Sequence, residues 1–220
     1  MFSLSKENFL KQIYKQEENG IPNASASHLA MELNVSNAAI TDMARKLSNA
    51  GYVNHLPYKG LSLTKEGRIA ALNVVRKHRL WELFLIKTLN MNWSEVHDEA
   101  ENLEHFTSDK LIDKIDEYLG FPTIDPHGAY IPDRNGKITP YPERFSLSEA
   151  KLDKEYIFSR IFDESTEILK YLNRIGLKLK STIRLLEKFS IDESCLILFE
   201  GKEIILSKKV SEQIFVEHIN

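Results

Sequence analysis

The chain has 220 residues, of which 42% are hydrophobic and 28% charged, and its net charge of −3 is unremarkable for a folded globular protein. No apolar run approaches the ~20 residues that a membrane-spanning helix needs, and the opening M-F-S-L-S-K-E-N-F-L lacks the apolar segment and cleavage site of a secretory signal. The single Cys195 excludes an intramolecular disulfide and every C-x-x-C zinc motif. We therefore expect a cytoplasmic protein that does not associate with membranes.

The first 70 residues predict three helices followed by a two-stranded ribbon. A serine-capped helix with an apolar face runs to about Glu17 and ends at the breaker G-I-P-N. A short helix follows, and Ser36 then caps a third helix that stops at Gly51. The segments Y-V-N-H-L and L-S-L, on either side of P-Y-K-G, predict two strands joined by a tight turn. This is the order of a winged helix-turn-helix domain.

In such a domain the third helix, here residues 37–50, enters the major groove of DNA. Small and polar side chains on its leading face suit base edges, and nearby cations suit phosphates. The candidate base-reading residues are Ser36, Asn37, Ala39 and Thr41, and the candidate phosphate contacts are Arg45, Lys46 and the wing residue Lys59. Residues 1–70 carry 8 Lys and Arg against 6 Asp and Glu, an excess too small to indicate DNA by itself. A small helical core with an incidental hairpin is the alternative.

Histidines and glutamates recur at helical spacing between residues 76 and 105. In R-K-H-R-L-W-E, His78 and Glu82 are four residues apart. In V-H-D-E-A-E-N-L-E-H a second stripe has relative positions 0, +4, +7 and +8 and consists of His97, Glu101, Glu104 and His105. Because buried unpaired charges are costly, such a set indicates a bound cation, and mixed nitrogen and oxygen donors suit a divalent transition metal. A solvated helix face is the alternative.

Residues 92–120 continue as helices, in which Ile112, Ile115 and Leu119 form an apolar stripe that fits core packing and a dimer contact equally well. The composition then changes, since five of the seven prolines lie between positions 122 and 142, and this predicts a linker. After it, runs such as Y-I-F-S-R-I-F, I-L-K-Y-L and C-L-I-L-F predict a small β-rich module of about 65 residues.

Three segments together, R-K-H-R-L-W-E-L-F-L, V-H-D-E-A-E-N-L-E-H and L-G-F-P-T-I-D-P-H-G, resemble the diphtheria toxin repressor family of metal-dependent regulators, and most of all its three-domain manganese and iron regulators. The resemblance covers nearly the whole chain. It implies a mainly α fold with a β-rich C-terminal module, divided into a winged helix-turn-helix DNA-binding domain (1–70), a helical metal-binding and dimerisation domain (71–127), a Pro-rich linker (128–150) and an SH3-like domain (151–220).

The same resemblance implies two groups of metal ligands. The first group is Glu101, Glu104 and His105, joined by Asn8 from the first helix. The second group is His78, Glu82 and His97, joined by a side chain of the C-terminal domain, for which F-D-E-S-T-E offers Glu164 or Glu167. Asn8 stands where manganese regulators usually have aspartate and iron regulators methionine, so it offers a carbonyl oxygen without a charge.

The segment Asp125-Pro-His127 stands where one branch of the family has a C-P-H motif that ligates metal. Asp125 and His127 are therefore further candidate ligands, although Asp-Pro also commonly forms a simple turn. Replacement of a sulfur by an oxygen makes this site harder, which favours Mn²⁺, with Fe²⁺ next, over Zn²⁺ or Cu.

These features predict a homodimeric repressor of metal-uptake genes that binds double-stranded operator DNA with Mn²⁺ or Fe²⁺ as corepressor. One alternative is a winged-helix regulator whose metals are purely structural. A second is a metallo-hydrolase that uses the same His and Glu side chains, but the chain lacks H-E-x-x-H. We therefore expect a protein that is not an enzyme.

Overall fold

The structure is a computed structural model that describes residues 4–56, 60–138, 142–162 and 166–219. It divides into two compact units. The first consists of Met1–Trp81, Ala100–Phe121 and Ile131–Ile138, and the second of Glu82–Glu99, Pro122–Tyr130 and Thr139–Asn220. None of the helices in the described ranges is long and apolar enough to span a membrane.

The first unit begins with the predicted order of helices and strands. Its elements are α1 (Leu4–Glu18), α2 (Ala26–Glu32), α3 (Asn37–Asn49), β1 (Val53–Leu56) and β2 (Gly60–Leu63). Ser25 and Ser36 cap α2 and α3, because their hydroxyl oxygens accept hydrogen bonds from backbone N–H groups of the first turn. The strands pair antiparallel with Val53 opposite Leu63. The predicted winged helix-turn-helix is confirmed.

The core of this part of the first unit is built on the apolar face of α1. Phe9, Leu10, Ile13 and Tyr14 are all buried, and they belong to one cluster with side chains of α2, α3 and the start of the next helix, α4 (Lys65–Leu89). Gly67 in the first turn of α4 is needed here, because a Cβ at this position would lie 1.9 Å from the carbonyl oxygen of Tyr52. The core therefore fixes α1 and the start of α4.

Two further helices follow, α5 (Val96–Glu104) and α6 (Asp109–Tyr118). The predicted apolar stripe of α6 faces the protein interior, since Ile112 and Ile115 are buried. Arg76 on α4, itself only 4% exposed, holds α6 through ion pairs with Asp113 at 3.0 Å and Asp116 at 2.7 Å. Core packing is thus the role of these two isoleucines.

The second unit contains an antiparallel sheet. Its strands are β3 (Phe145–Ser146), β4 (Lys154–Ile161), β5 (Thr182–Lys188), β6 (Cys195–Phe199), β7 (Lys202–Leu206) and β8 (Ile214–His218), accompanied by α7 (Thr166–Ile175) and α8 (Lys208–Gln213). The strand order is β3-β8-β4-β5-β6-β7. This sheet confirms the predicted β-rich C-terminal module. The segment I-L-K-Y-L, which we grouped with the strands, is instead part of α7. Ile168, Leu169 and Leu172 are buried at a spacing of one and four residues, which is a helical and not a strand pattern.

The segment expected to act as a linker, 128–150, is ordered over much of its described length. Ala129, Tyr130 and Ile131 are buried. The side chain of Asp133 accepts hydrogen bonds from the backbone N–H groups of Asn135 and Lys137 at 2.8 Å each, and this closes a tight turn. Proline content indicates irregular backbone but does not distinguish a free linker from a packed loop, so the burial was not predictable from composition.

Candidate metal centres and DNA-binding face

The first unit gathers six ionisable side chains that we call the Lys11 cluster. Its members are Glu7, Lys11, His78, Glu101, Glu104 and His105. Glu7 and Lys11 are one turn apart on α1, whereas Glu101 and Glu104 are one turn apart on α5, so two short polar stripes meet. Three residues of the cluster, Glu101, Glu104 and His105, also have donor atoms within 4.8 Å of one another, a spacing that could hold a metal ion.

Glu104 is the centre of this cluster and its side chain is fully buried. Its Oε1 accepts a hydrogen bond from Lys11 Nζ at 2.5 Å, and its Oε2 lies 2.6 Å from His78 Nδ1. Burial raises the pKa of Glu104, but the hydrogen bonds from His105 and His78 and the charge of Lys11 outweigh this effect, and the net pKa is far below its ordinary value. Glu104 is therefore a carboxylate.

Lys11 is buried to the same degree, with a side-chain exposure of 1%. Its ammonium bridges Glu104 and Glu101, whose Oε1 is 2.6 Å from Nζ. Burial raises the pKa of Glu101 and the charge of Lys11 lowers it, and the net shift is downward. The sequence patterns did not indicate Lys11. The available signal was the polar stripe that Glu7 and Lys11 form beside the apolar face of α1.

His105 contacts carboxylates through both ring nitrogens. Nδ1 lies 2.6 Å from Glu7 Oε2, and Nε2 lies 3.0 Å from Glu104 Oε1. Burial lowers the pKa of His105, but its contacts with the carboxylates of Glu104 and Glu7 raise the pKa by more, and the net pKa is above its ordinary value. Glu7 on α1 thus contacts His105 directly, and the predicted role of Asn8 as a metal ligand from the same helix stays a prediction. Asn8 Oδ1 is buried and has no hydrogen-bond partner within the described residues.

The second unit contains a separate group of donors, which we call the Glu82 centre and which consists of Glu82, Asp125 and His127. All three side chains are buried, and their donor atoms lie within 4.8 Å of one another. The carboxylate of Glu82 faces two imidazoles: Oε2 is 3.3 Å from His127 Nδ1, and Oε1 is 3.3 Å from the Nδ1 of His97. Of the predicted second group, Glu82 and His97 are thus close together, and His78 contacts Glu104 in the first unit.

The turn that carries Asp125 and His127 is stabilised from within. Asp125 Oδ1 accepts hydrogen bonds from the backbone N–H of His127 at 2.8 Å and of Ala129 at 2.9 Å. The ring of His127 stacks on Trp93, with centroids 5.5 Å apart and planes at 20°, and Trp93 Nε1 donates to the carbonyl oxygen of Pro126 at 3.0 Å. Asp125 therefore forms the turn and also lies beside Glu82, so the two alternatives raised by its sequence are compatible.

The same turn is held against strand β4. Gly128 has a φ of +86°, and a Cβ at this position would lie 2.1 Å from the carbonyl oxygen of Ser159, so only glycine fits. The carbonyl oxygen of His127 accepts a hydrogen bond from the backbone N–H of Ile161 at 2.9 Å. The sheet of the second unit therefore fixes the backbone that places His127 beside Glu82.

The sequence offered two candidate metal ligands in the C-terminal domain, Glu164 and Glu167. Glu167 is exposed in the first turn of α7, and the donor groups found among the described residues do not include it. Glu164 lies outside the described residues, as does the wing residue Lys59. Their roles stay predictions.

The candidate DNA-binding residues on α3 and at its N-cap are all exposed, namely Ser36, Asn37, Ala39, Thr41, Arg45 and Lys46. Thr41 Oγ1 donates to the carbonyl oxygen of Asn37 at 2.9 Å. Arg45 and Lys46 both pair with Asp42, at 2.9 and 2.7 Å, a partner that the sequence patterns did not indicate. An arrangement of exposed small side chains followed by cations suits a helix that reads bases and contacts phosphates.

Comparison with known proteins decides the family. The family model described as the iron dependent repressor N-terminal DNA binding domain matches residues 1–61, its metal binding and dimerisation domain matches 64–133, and the FeoA domain matches 145–218. A manganese-dependent transcriptional repressor, solved in complex with manganese, is 35% identical with a TM-score of 0.92, and the match covers 97% of this chain and 100% of that one. The chain belongs to the iron-dependent repressor family.

Two curated proteins are similar to this chain over part of its length. An uncharacterised HTH-type transcriptional regulator of Methanocaldococcus jannaschii is 36% identical over 118 residues, which are 53% of this chain and 94% of that protein. The diphtheria toxin repressor of Corynebacterium efficiens is 36% identical over 126 residues, which are 57% of this chain but only 54% of that repressor. The resemblance and fold class predicted from the sequence are confirmed.

Members of the iron-dependent repressor family are metal-dependent transcriptional regulators, so the two donor groups can be tested for their fit to a metal ion. The Glu82 centre fits, because it joins two carboxylates to an imidazole in a buried position. The Lys11 cluster does not fit in the same way, because an ammonium already bridges Glu101 and Glu104. A metal ion and a lysine ammonium compete for the same carboxylate oxygens.

Proposed function

We propose that this chain is a homodimeric, cytoplasmic repressor of metal-uptake genes that binds double-stranded operator DNA, with Mn²⁺ as corepressor and Fe²⁺ as the next best ion. The observation that carries the proposal is the Glu82 centre, in which Glu82, Asp125 and His127 are buried together. Two carboxylates beside one another in a protein interior repel, and a divalent cation removes that cost. The protein would then be more stable and more ordered with metal than without it.

The chemistry of the donors supports the choice of metal. Glu82 and Asp125 offer hard oxygens and His127 an imidazole nitrogen, a set that suits Mn²⁺ and Fe²⁺ better than a thiolate-containing site would. The two hydrogen bonds at Asp125 Oδ1 point to its Oδ2 as the ligating oxygen. His97, which faces the other oxygen of Glu82, is a further ligand or a positioning group, and Glu164 or Glu167 is proposed to complete the site from the C-terminal domain.

The DNA-binding step is assigned to α3 and the ribbon of β1 and β2. Base contacts are proposed for Ser36, Asn37, Ala39 and Thr41, and phosphate contacts for Arg45, Lys46 and Lys59. The partner subunit is a second copy of this chain, and large apolar side chains that are exposed in the first unit support a contact there: Phe106, Tyr118 and Phe121. Two recognition helices about one DNA turn apart would then read two half-sites.

Metal can act as corepressor only if it binds the DNA-competent arrangement more tightly than the other arrangement. We therefore expect Mn²⁺ to raise operator affinity by about 5- to 150-fold, the usual range of an allosteric coupling. The division into residues 1–70, 71–127, 128–150 and 151–220 stays our working assignment of domains.

The test is fluorescence anisotropy of labelled promoter DNA with the metal-free chain, titrated with Mn²⁺ and then with a chelator. Affinity that rises with Mn²⁺ and returns to its starting value with chelator supports the proposal. Affinity that is high and insensitive to both reagents would instead support a regulator whose metals are structural. The remaining alternative, a metallo-hydrolase, predicts metal-dependent cleavage of ester, peptide or phosphate substrates, and we expect none, because the family consists of transcriptional regulators.

A further inference from the structure

The Lys11 cluster differs from the Glu82 centre in already containing a buried cation. Three carboxylates, those of Glu7, Glu101 and Glu104, surround the interior positions that Lys11, His78 and His105 occupy. We propose that the ammonium of Lys11 takes the place of a metal ion between Glu101 and Glu104, so that this cluster is a permanent ion-pair clamp and each chain binds a single activating metal, at the Glu82 centre. The second half of this statement rests on the proposed function.

The first argument is that the ammonium of Lys11 and a metal ion between Glu101 and Glu104 would occupy the same position. Lys11 Nζ is 2.6 Å from Glu101 Oε1 and 2.5 Å from Glu104 Oε1. A transition-metal ion bound by the same two carboxylates would lie about 2.0–2.2 Å from an oxygen of each. The ion and the ammonium nitrogen would therefore occupy nearly the same point, and two cations cannot share it.

The second argument is that Lys11 is buried, so a metal ion would have to displace it. The side chain of Lys11 is 1% exposed, and its neighbours on α1, Leu10 and Ile13, are buried in the core of the first unit. A metal ion could enter only if Lys11 left both carboxylates and its ammonium reached water. Breaking a buried ion pair by removing one partner is strongly unfavourable, so displacement would consume binding free energy that the ion gains elsewhere.

If Lys11 replaces the metal ion, the contact between α1 and α5 does not depend on metal. Lys11 joins α1 of the DNA-binding domain to α5 in the absence of any ion, so this junction is made once the chain folds. The metal-dependent part of the response is then left to the Glu82 centre. A chain with acidic or neutral side chains at position 11 would need a second ion to make the same junction.

The experiment counts Mn²⁺ bound to the full chain by electron paramagnetic resonance, since free Mn²⁺ gives a sharp six-line signal that bound Mn²⁺ largely loses. We expect one Mn²⁺ per wild-type chain, none in Glu82→Gln, and one again in the double variant Glu82→Gln with Lys11→Glu. Lys6→Glu is the matched control, because Lys6 is on the same helix but makes no ion pair with the described residues of the cluster. In the Glu82→Gln background it should add no Mn²⁺.

Lys11→Met serves as a second variant if the glutamate impairs folding. It removes the ammonium and keeps an unbranched apolar stem, and it should also create a Mn²⁺ site in the Glu82→Gln background that Glu104→Gln then abolishes. Two Mn²⁺ per wild-type chain, or one in Glu82→Gln that Glu104→Gln removes, would overturn the inference. No Mn²⁺ in the wild type together with a gain in Lys11→Glu would contradict the proposed function and support the role of Lys11.

Discussion

Lys11 and Glu104 are 93 positions apart in the chain, and their side chains meet in the interior of the first unit with Nζ 2.5 Å from Oε1. Neither group is accessible to solvent to any useful extent, since their side-chain exposures are 1% and 0%. An ion pair of this kind need not stabilise a protein more than apolar residues would, but loss of one partner leaves the other charge buried.

We therefore predict that Lys11→Met lowers the free energy of unfolding of the metal-free chain by about 3–5 kcal/mol, because Glu101 and Glu104 are left without their cation. Lys6→Met, on the same helix, should change it by less than about 0.5 kcal/mol. Urea denaturation in the presence of a chelator measures both values. Equal effects of the two substitutions would show that the ammonium has no structural role.

The stability of the metal-free chain should depend on pH in opposite directions for two members of the cluster. The pKa of Glu104 is lowered on folding from 4.5, so its contribution is present above about pH 4.5 and is lost in acid. The pKa of His105 is raised on folding from 6.5, so its contribution is present below about pH 6.5 and is lost as the pH rises through the folded pKa. Together they favour folding most between these two values.

Melting temperatures measured with chelator from about pH 4 to pH 9 test this directly. In Glu104→Gln the decrease in acid should be smaller than in the wild type, because the group that takes up the proton is gone. If the melting temperature of this variant falls in acid as much as that of the wild type, other carboxylates cause the acid sensitivity.

The turn at Gly128 offers a separate test of how the second unit supports metal binding. Gly128→Ala places a Cβ 2.1 Å from the carbonyl oxygen of Ser159, so the turn that carries His127 must shift away from β4. We predict that Mn²⁺ affinity falls at least about tenfold, which corresponds to about 1.4 kcal/mol. Gly201→Ala is the matched control, since its φ of +75° carries the same backbone strain with no atom within 4 Å. Isothermal titration should show no loss for the control.

The two kinds of contact on α3 should separate in DNA-binding measurements. Arg45→Ala should weaken binding to all sequences alike and reduce the dependence on salt by about one counterion, since phosphate contacts are independent of sequence. Thr41→Val should change the preference among operator variants and leave the salt dependence unchanged. Anisotropy titrations at several salt concentrations measure both. If neither substitution affects operator affinity, another element enters the groove.

Sequence patterns were sufficient where a local rule determines the structure. Ser36 and the apolar face of α1 predicted the helices of the winged domain, and the spacing of Glu101, Glu104 and His105 predicted that these side chains share one face. The patterns carried no information where helices from distant parts of the chain meet. Nothing in the spacing of His78 assigns it to Glu104, because periodicity shows which residues lie on one helix face but not which helix packs opposite.

The burial of Lys11 could not be predicted from the sequence for the same reason. A lysine on an exposed helix face and a lysine buried between two glutamates have the same local sequence, and the difference depends on packing of α1 against α5. Asp125 and His127 were predictable only in part. The turn could be predicted from Asp-Pro, but its position against β4 depends on Gly128 and on the sheet. Long-range packing therefore determines which of the predicted donors can bind a metal.

The most direct test of the account is the Mn²⁺ dependence of operator binding in Glu82→Gln, compared with Glu99→Gln as an exposed control on α5. Anisotropy of promoter DNA should show that Mn²⁺ increases the affinity of the wild type and of Glu99→Gln by about 5- to 150-fold, whereas the affinity of Glu82→Gln does not respond. A Glu82→Gln chain that remains folded and still responds to Mn²⁺ as the wild type does would contradict the assignment of the activating metal to the Glu82 centre.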